Sequence, residues 1–393
     1  MAQSEAGRGK GASRLFPSDD FVRTRAPPLM TGPVTVAILL SEGRNSRGGI
    51  GRVIGYLVRG LHQAAPDIRV RQLAARPTVA PVVKHLTVPL WMALFAIALI
   101  RDRVDIVHIN VAPRGSTWRK MAYAALARRL GKRVLLHLHG SAYDEYFQSL
   151  GKKRQDMVRR FFGSADKVVT LSERWTRFMI DDLRVAPGRV VEIANGVPAA
   201  PDLHSPVAGG VTRIAFFGAV GHRKGTDILL EALAALAARG VAFEAVIGGD
   251  GDVEPMRDLA RKLSLGDRVR FLGWVDEQAV DRELRQSDIF VLPSRAENQP
   301  VSILEAMARA LPVVATRVGA IPRQVEDGVT GLLVEAGDAD GLTGALARLA
   351  QDAELRGSMG QAGLAQFRAR FSVEACAARF GQLYREMAGR PPR

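Results

Sequence analysis

The chain has 393 residues, 47% hydrophobic and 24% charged. That is enough for two or three domains with large cores, and it excludes disorder over most of the length, a collagen-like chain and a disulfide scaffold. The net charge of +15 is one-sided: residues 1–200 hold 32 Lys and Arg against 15 Asp and Glu, residues 201–393 only 23 against 25, so the first half is expected to meet a polyanion, whether nucleic acid, an anionic membrane face or a phosphorylated substrate.

Residues 1–32 are rich in Gly, Ser, Ala, Pro and Arg without apolar periodicity, and read as a disordered basic tail. VTVAILL (Val34–Leu40) is a buried-strand pattern; a glycine-containing loop and a helical pattern follow it. Further strands are expected at Val104–Asn110, Arg133–Gly140, Lys167–Ser172 and Val190–Gly196, with a helix over Thr117–Leu130. Residues 198–210 form a Pro/Gly-rich break. The pattern then restarts with a strand at RIAFFGAV and a helix over Asp227–Ala238. Strand patterns recur at FEAVIGG, VRFLGWV, Asp288–Ser294, Leu311–Thr316 and Thr330–Asp338. Strands alternating with helices predict two successive α/β domains, each with a parallel sheet covered on both faces. The cleft between them, near the carboxyl ends of the strands, is the expected ligand site.

The N-terminus lacks the apolar core of a secretory signal. The longest charge-free apolar run, Leu86–Ile100, has 15 residues, fewer than the roughly 20 that span a bilayer, so a buried or interfacial helix is expected there. Two basic clusters stand nearby. One holds Arg114, Arg119, Lys120, Arg128, Arg129, Lys132 and Arg133; the other holds Lys152, Lys153, Arg154, Arg159 and Arg160.

The stretch Ser294–Thr316, SRAENQPVSILEAMARALPVVAT, carries the strongest chemistry. Glu297 and Glu305 stand eight apart directly after a buried strand. Glu297 belongs in the loop and Glu305 on a helix that begins near Pro300. The start of that helix, at Asn298, Gln299, Pro300 and Val301, offers unpaired N–H groups to a phosphate or to sugar hydroxyls. A carboxylate one turn in can accept hydrogen bonds from a ribose diol. Taken as a string, the segment resembles the retaining family-4 glycosyltransferases. It departs from their pattern at Asn298-Gln299-Pro300, where Gly-Phe-Gly is common, and at Ala310, where Gly is usual. The loop departure puts the identity of the sugar in question more than the reaction class.

FFGAVGHRKGTDILLEAL (Phe216–Leu233) is similar to the same family's strand, phosphate loop and helix. The resemblance implies donor contacts at Gly218 and a cation on the donor diphosphate at Lys224. Ala219 stands where the family's first Arg is expected, and Arg223 is the candidate to supply the lost charge. Fixed cations there would stabilise the charge that grows on a leaving diphosphate. IGGDGD (Ile247–Asp252) and Val318–Asp338 also resemble family segments. In the first half, Gly48-Gly49-Ile50-Gly51 matches a loop that in the family approaches the donor phosphate or the acceptor, and Gly49 is taken as the donor contact. His139, closing LLHLHG, matches the histidine that hydrogen-bonds the transferred sugar in the family. His137 is expected on the opposite face of the strand, packed against a helix. His108 and Asn110 are weighed as cleft residues.

The resemblance implies a GT-B fold, α/β with two facing Rossmann-like domains and a deep interdomain cleft. Residues 33–200 would bind the acceptor and 211–372 the nucleotide sugar. Residues 373–393 would form a helix crossing back to the first domain. The implied reaction is retaining transfer from a nucleotide diphosphate sugar to an acceptor hydroxyl, with His139, Glu297, Lys224 and Arg223 as catalytic candidates and Glu305 holding the donor. No metal site and no cofactor is expected, the donor being a co-substrate. The acceptor is expected to be a lipid-linked saccharide in bacterial surface polysaccharide or exopolysaccharide assembly. The enzyme would then be cytoplasmic and peripheral on an anionic membrane face. A nucleotide-sugar 2-epimerase on a related fold is the alternative. A nucleic-acid-binding protein is less favoured, because no reading module is present and aromatic residues make up 6% of the chain.

Overall fold

A computed structural model describes residues 32–40, 49–75, 88–203 and 210–390. Residues 1–31 of the tail read at 1–32, and residues 204–209 of the break, lie outside them. Six strands form the first sheet: β1 (Val34–Leu40), β2 (Ile68–Ala74), β3 (Ile106–Val111), β4 (Arg133–Leu138), β5 (Lys167–Thr170) and β6 (Val190–Glu192). They lie in the order β2-β1-β3-β4-β5-β6, all parallel. Six more form the second: β7 (Thr212–Phe217), β8 (Phe243–Gly248), β9 (Val269–Gly273), β10 (Ile289–Leu292), β11 (Val313–Thr316) and β12 (Gly331–Val334). Their order is β12-β11-β10-β7-β8-β9, again parallel. In each sheet the chain doubles back beside its first strand, β1 or β7. Those switch points place the following loops in one crevice.

All seven residues of β1 are buried, because helices cover both faces of a parallel sheet. Ala37, Leu39, Val107 and Ile109 pack on one side of the first sheet; Val36, Ile38 and Ile106 pack on the other. A single core built on β7, β10 and β11 fills the second half. β2 is the strand that the sequence reading lacked. It is an edge strand whose Arg69, Arg71 and Gln72 face partly to solvent, so no apolar run marks it.

The helix Val373–Met387 follows the second half yet packs on the helix Gly49–Ala64 of the first. Close approach is possible because Gly60 has no side chain: a Cβ there would stand 2.9 Å from Val373 Cγ2 and 3.0 Å from Ala377 Cβ. Arg385 clamps Asp67 with two bonds of 2.8 and 2.9 Å. Val197 and Val373 anchor the crossing through backbone bonds, Val197 N donating to Phe371 O and Val373 N to Val197 O. The apolar run forms the helix Val88–Arg101. Phe95 and Leu99 are buried, whereas Leu90, Leu94, Ile97 and Ile100 are 47–61% exposed on its outer face. Among the described residues no helix is long and apolar enough to cross a membrane. Lys120 departs from the basic surface cluster it was read into. It is fully buried, and its Nζ donates to Asn110 O at 2.5 Å.

Candidate functional site

A cleft of about 980 Å³ opens between the two sheets at the carboxyl ends of their strands. Its second-half wall starts where β7 ends. The backbone turns through Gly218 and Ala219 into the short turn His222–Lys224 and then the helix Thr226–Ala238. Gly225 closes this turn at φ +71°, and a Cβ there would meet Pro293 O at 1.9 Å. Only glycine fits that position. The loop beyond β8 is zipped to this one, with Val220 N donating to Asp250 O (2.7 Å) and Asp252 N to Val220 O (2.9 Å).

Lys224 reaches past Gly218 and forms an ion pair with Glu297 Oε1, both side chains largely buried. Ser294 Oγ donates to the same oxygen at 2.7 Å. Two candidates 73 residues apart in sequence thus share one contact. Arg295 plays a supporting part. Its guanidinium holds Asp227 with two bonds of 2.8 Å and donates to His222 O at 2.6 Å, fastening the turn to the Glu297 loop. Arg223 is exposed at the cleft edge, with no carboxylate partner among the described residues.

Pro300 caps the helix Val301–Met307, which carries Glu305 one turn in. Glu305 is buried at the junction of the halves. Tyr56 OH donates to its Oε1 at 2.9 Å, and Arg52 Nη1 lies 3.3 and 3.4 Å from its two oxygens. Burial raises its pKa above the ordinary carboxylate value, against the opposing pull of Arg52 and the Tyr56 hydrogen bond. The Asn298-Gln299-Pro300 departure has a visible consequence. Gln299 Oε1 accepts from Asn195 N at 2.6 Å, which ties the loop to the first half just before the crossing. Asn298 O accepts from Ala320 N at 2.8 Å. Gly49, Gly218, Asn298, Gln299, Pro300 and Val301 all line the cleft with Lys224, Arg223, Glu297 and Glu305.

Across the cleft stands His139, just beyond β4. Its Nε2 lies 2.8 Å from Asn110 Oδ1. His137 is on the same side as His139, not the opposite one: residues two apart on an extended strand share a face, and their rings are 3.9 Å apart. It does pack against a helix, through Phe380. His108 is not a cleft residue. It is fully buried, its Nδ1 2.7 Å from Tyr384 OH and its Nε2 3.1 Å from His137 Nδ1. Burial is the main cause that pulls His108 and His139 down to about 3 and His137 well below its ordinary value, so all three rings are neutral at pH 7. Gly49 and Ile50 line the cleft from the first turn of their helix; Gly48 lies outside the described residues.

Sequence reasoning missed Arg52 and Tyr56. The available signal was their spacing, since two polar residues four apart after a glycine loop share one helix face. Trp274 and Arg114, which also line the cleft, carried no motif.

The family model for Glycosyltransferase Family 4 matches residues 47–200, and that for Glycosyl transferases group 1 matches residues 211–352. A phosphatidyl-myo-inositol mannosyltransferase of Mycolicibacterium smegmatis is 34% identical over 48% of this chain; the match spans only about half of that relative's length, also 48%. The lipopolysaccharide core biosynthesis mannosyltransferase LpcC of Rhizobium leguminosarum bv. viciae is 30% identical over 69% of this chain and 76% of its own. In fold, the chain superposes on the crystal structure of Anabaena HepE in complex with UDP and glucose with a TM-score of 0.72, over 90% of this chain and all of that one at 19% identity. The fold is therefore GT-B, and the chain belongs to the family-4 glycosyltransferases.

Proposed function

We propose that the protein transfers a hexose from a nucleotide diphosphate sugar to a saccharide hydroxyl, with retention at the anomeric carbon. The observation that carries this reading is the convergence of Lys224, Glu297 and Glu305 on one wall of the cleft, facing His139 on the other. Lys224 and Arg223 would meet the diphosphate and stabilise the charge that develops as it leaves, without a metal. Glu305 would accept hydrogen bonds from the ribose diol. Glu297 is an unpromising nucleophile, because Lys224 and Ser294 already share its Oε1. The reading therefore favours same-face attack, the departing phosphate oxygen taking the proton of the acceptor hydroxyl. The first half would hold the acceptor and the second the donor.

The UDP and glucose in the HepE complex support a nucleotide-sugar donor, and the lipopolysaccharide role in the name of LpcC supports a lipid-linked acceptor in envelope polysaccharide assembly. The outward apolar stripe Leu90, Leu94, Ile97 and Ile100, with Arg101 at its end, supports docking on an anionic membrane face. The test is nucleoside diphosphate release from UDP-, GDP- and dTDP-sugars in the presence of a saccharide acceptor. One donor class should be consumed, with its anomeric configuration kept in the product. Consumption of donor alone, with formation of its 2-epimer, would replace this reading by the epimerase one.

A further inference from the structure

The hydrogen bonds around His139 assign its tautomer, and with it the polarity of what it offers a ligand. Asn110 sits at the end of β3, 3% exposed. Its Nδ2 donates to Leu39 O at 3.3 Å, which fixes the orientation of the amide. Oδ1 therefore faces His139 Nε2, 2.8 Å away. An amide oxygen only accepts, so Nε2 must carry the proton and Nδ1 must keep its lone pair.

Three further contacts hold this arrangement. Lys120 Nζ donates to the backbone oxygen of the same Asn110 at 2.5 Å, from full burial on the helix Gly115–Arg129. A cation there opposes a second proton on the imidazole, in line with the lowered pKa of His139. The His137 ring, 3.9 Å away, restricts rotation of the His139 ring. Gly140 follows with no room for a side chain, since a Cβ would meet Pro113 Cδ at 2.4 Å. Nδ1 has no hydrogen-bond partner among the described residues, and the ring lines the cleft.

We propose that Asn110 is a positioning residue that holds His139 as the Nε2–H tautomer, so that the ring presents Nδ1 to the cleft as an acceptor for a hydroxyl of the transferred sugar. This rests on the donor reading above. It sets a requirement on the substrate: the sugar must place a hydroxyl donor at His139, and a deoxy sugar lacking that group would leave this acceptor unpaired in the occupied cleft.

The test uses the full chain labelled with 15N-histidine. Long-range proton–nitrogen correlations report the tautomer of each ring, and His139→Gln identifies the His139 signals. The wild type should show Nε2–H. Asn110→Asp, which can still accept, should keep that pattern, whereas Asn110→Leu should lose it. In titrations with UDP, GDP, dTDP, UDP-glucose, GDP-mannose and dTDP-glucose, Asn110→Leu should weaken the accepted sugar nucleotide about tenfold more than its nucleoside diphosphate. An Nδ1–H or doubly protonated His139 in the wild type at pH 7 overturns the proposal, even if the variant fails to fold. An Asn110→Leu pattern identical to wild type also overturns it. Should none of the six nucleotides bind, the donor reading fails, while the tautomer still decides the role of Asn110.

Discussion

Lys224 is held in place by the turn that Gly225 closes and by its pairing with Glu297, so in the proposed reaction it would need little reorganisation to meet a diphosphate. Interactions that strengthen as charge builds on the leaving group act on turnover more than on binding. Lys224→Ala should therefore lower kcat about 10²- to 10³-fold while donor affinity falls much less. Arg223→Ala should be nearly as damaging if Arg223 supplies the charge missing at Ala219. Steady-state kinetics on both variants checks this: full turnover by Arg223→Ala would move that role to another cation. At this scale the motif was legible. Lys224, Glu297 and Glu305 lie in two short contiguous strings, and each string folds locally. Tyr56 and Glu305, 249 residues apart, meet only because the two halves face each other. No spacing in the sequence encodes that pairing.

Buried parallel strands announce themselves as apolar runs, and for that reason the central strands of both sheets were readable to within a few residues. The misplacement of His137 came from a misapplied strand period: residues two apart share a face, as His137 and His139 do. The apolar run before β3 was legible as a helix, but which of its residues turn outward was not, because its composition is apolar almost all round. The structure shows Phe95 and Leu99 inward and Leu94 and Ile97 outward. If this helix docks on membranes, Leu94→Ser with Ile97→Ser should weaken co-sedimentation with anionic vesicles without affecting the core. Burying each apolar side chain stabilises docking by about 1.5–3 kcal/mol, so a loss of tenfold or more is expected. Vesicle binding unchanged by the double substitution would move the contact to another surface.

The molecule is held together across its halves by the helix Val373–Met387, whose Tyr384 bonds His108 inside the first half. The two fully buried rings, His108 and His137, make this arrangement sensitive to acid. Their folded pKa values lie below the ordinary value near 6.5, so the unfolded chain takes up protons first as pH falls. Their share of stability is complete above pH 6.5 and declines below it, until the folded rings protonate, His108 near pH 3. Between pH 7.5 and 5.5 the two rings together should cost on the order of 1–3 kcal/mol, before most carboxylates contribute. Urea midpoints at the two pH values check this, and an unchanged midpoint would contradict the buried neutral pair.

The proposed reaction depends above all on the cleft taking a nucleotide sugar with Glu305 on the ribose. Calorimetric titration with UDP, GDP and dTDP tests it most directly. One of the three should bind at a single site per chain, and Glu305→Ala should weaken it about 10- to 150-fold, the loss of one charged acceptor. Absence of binding by all three, or binding that Glu305→Ala leaves unchanged, would contradict the account.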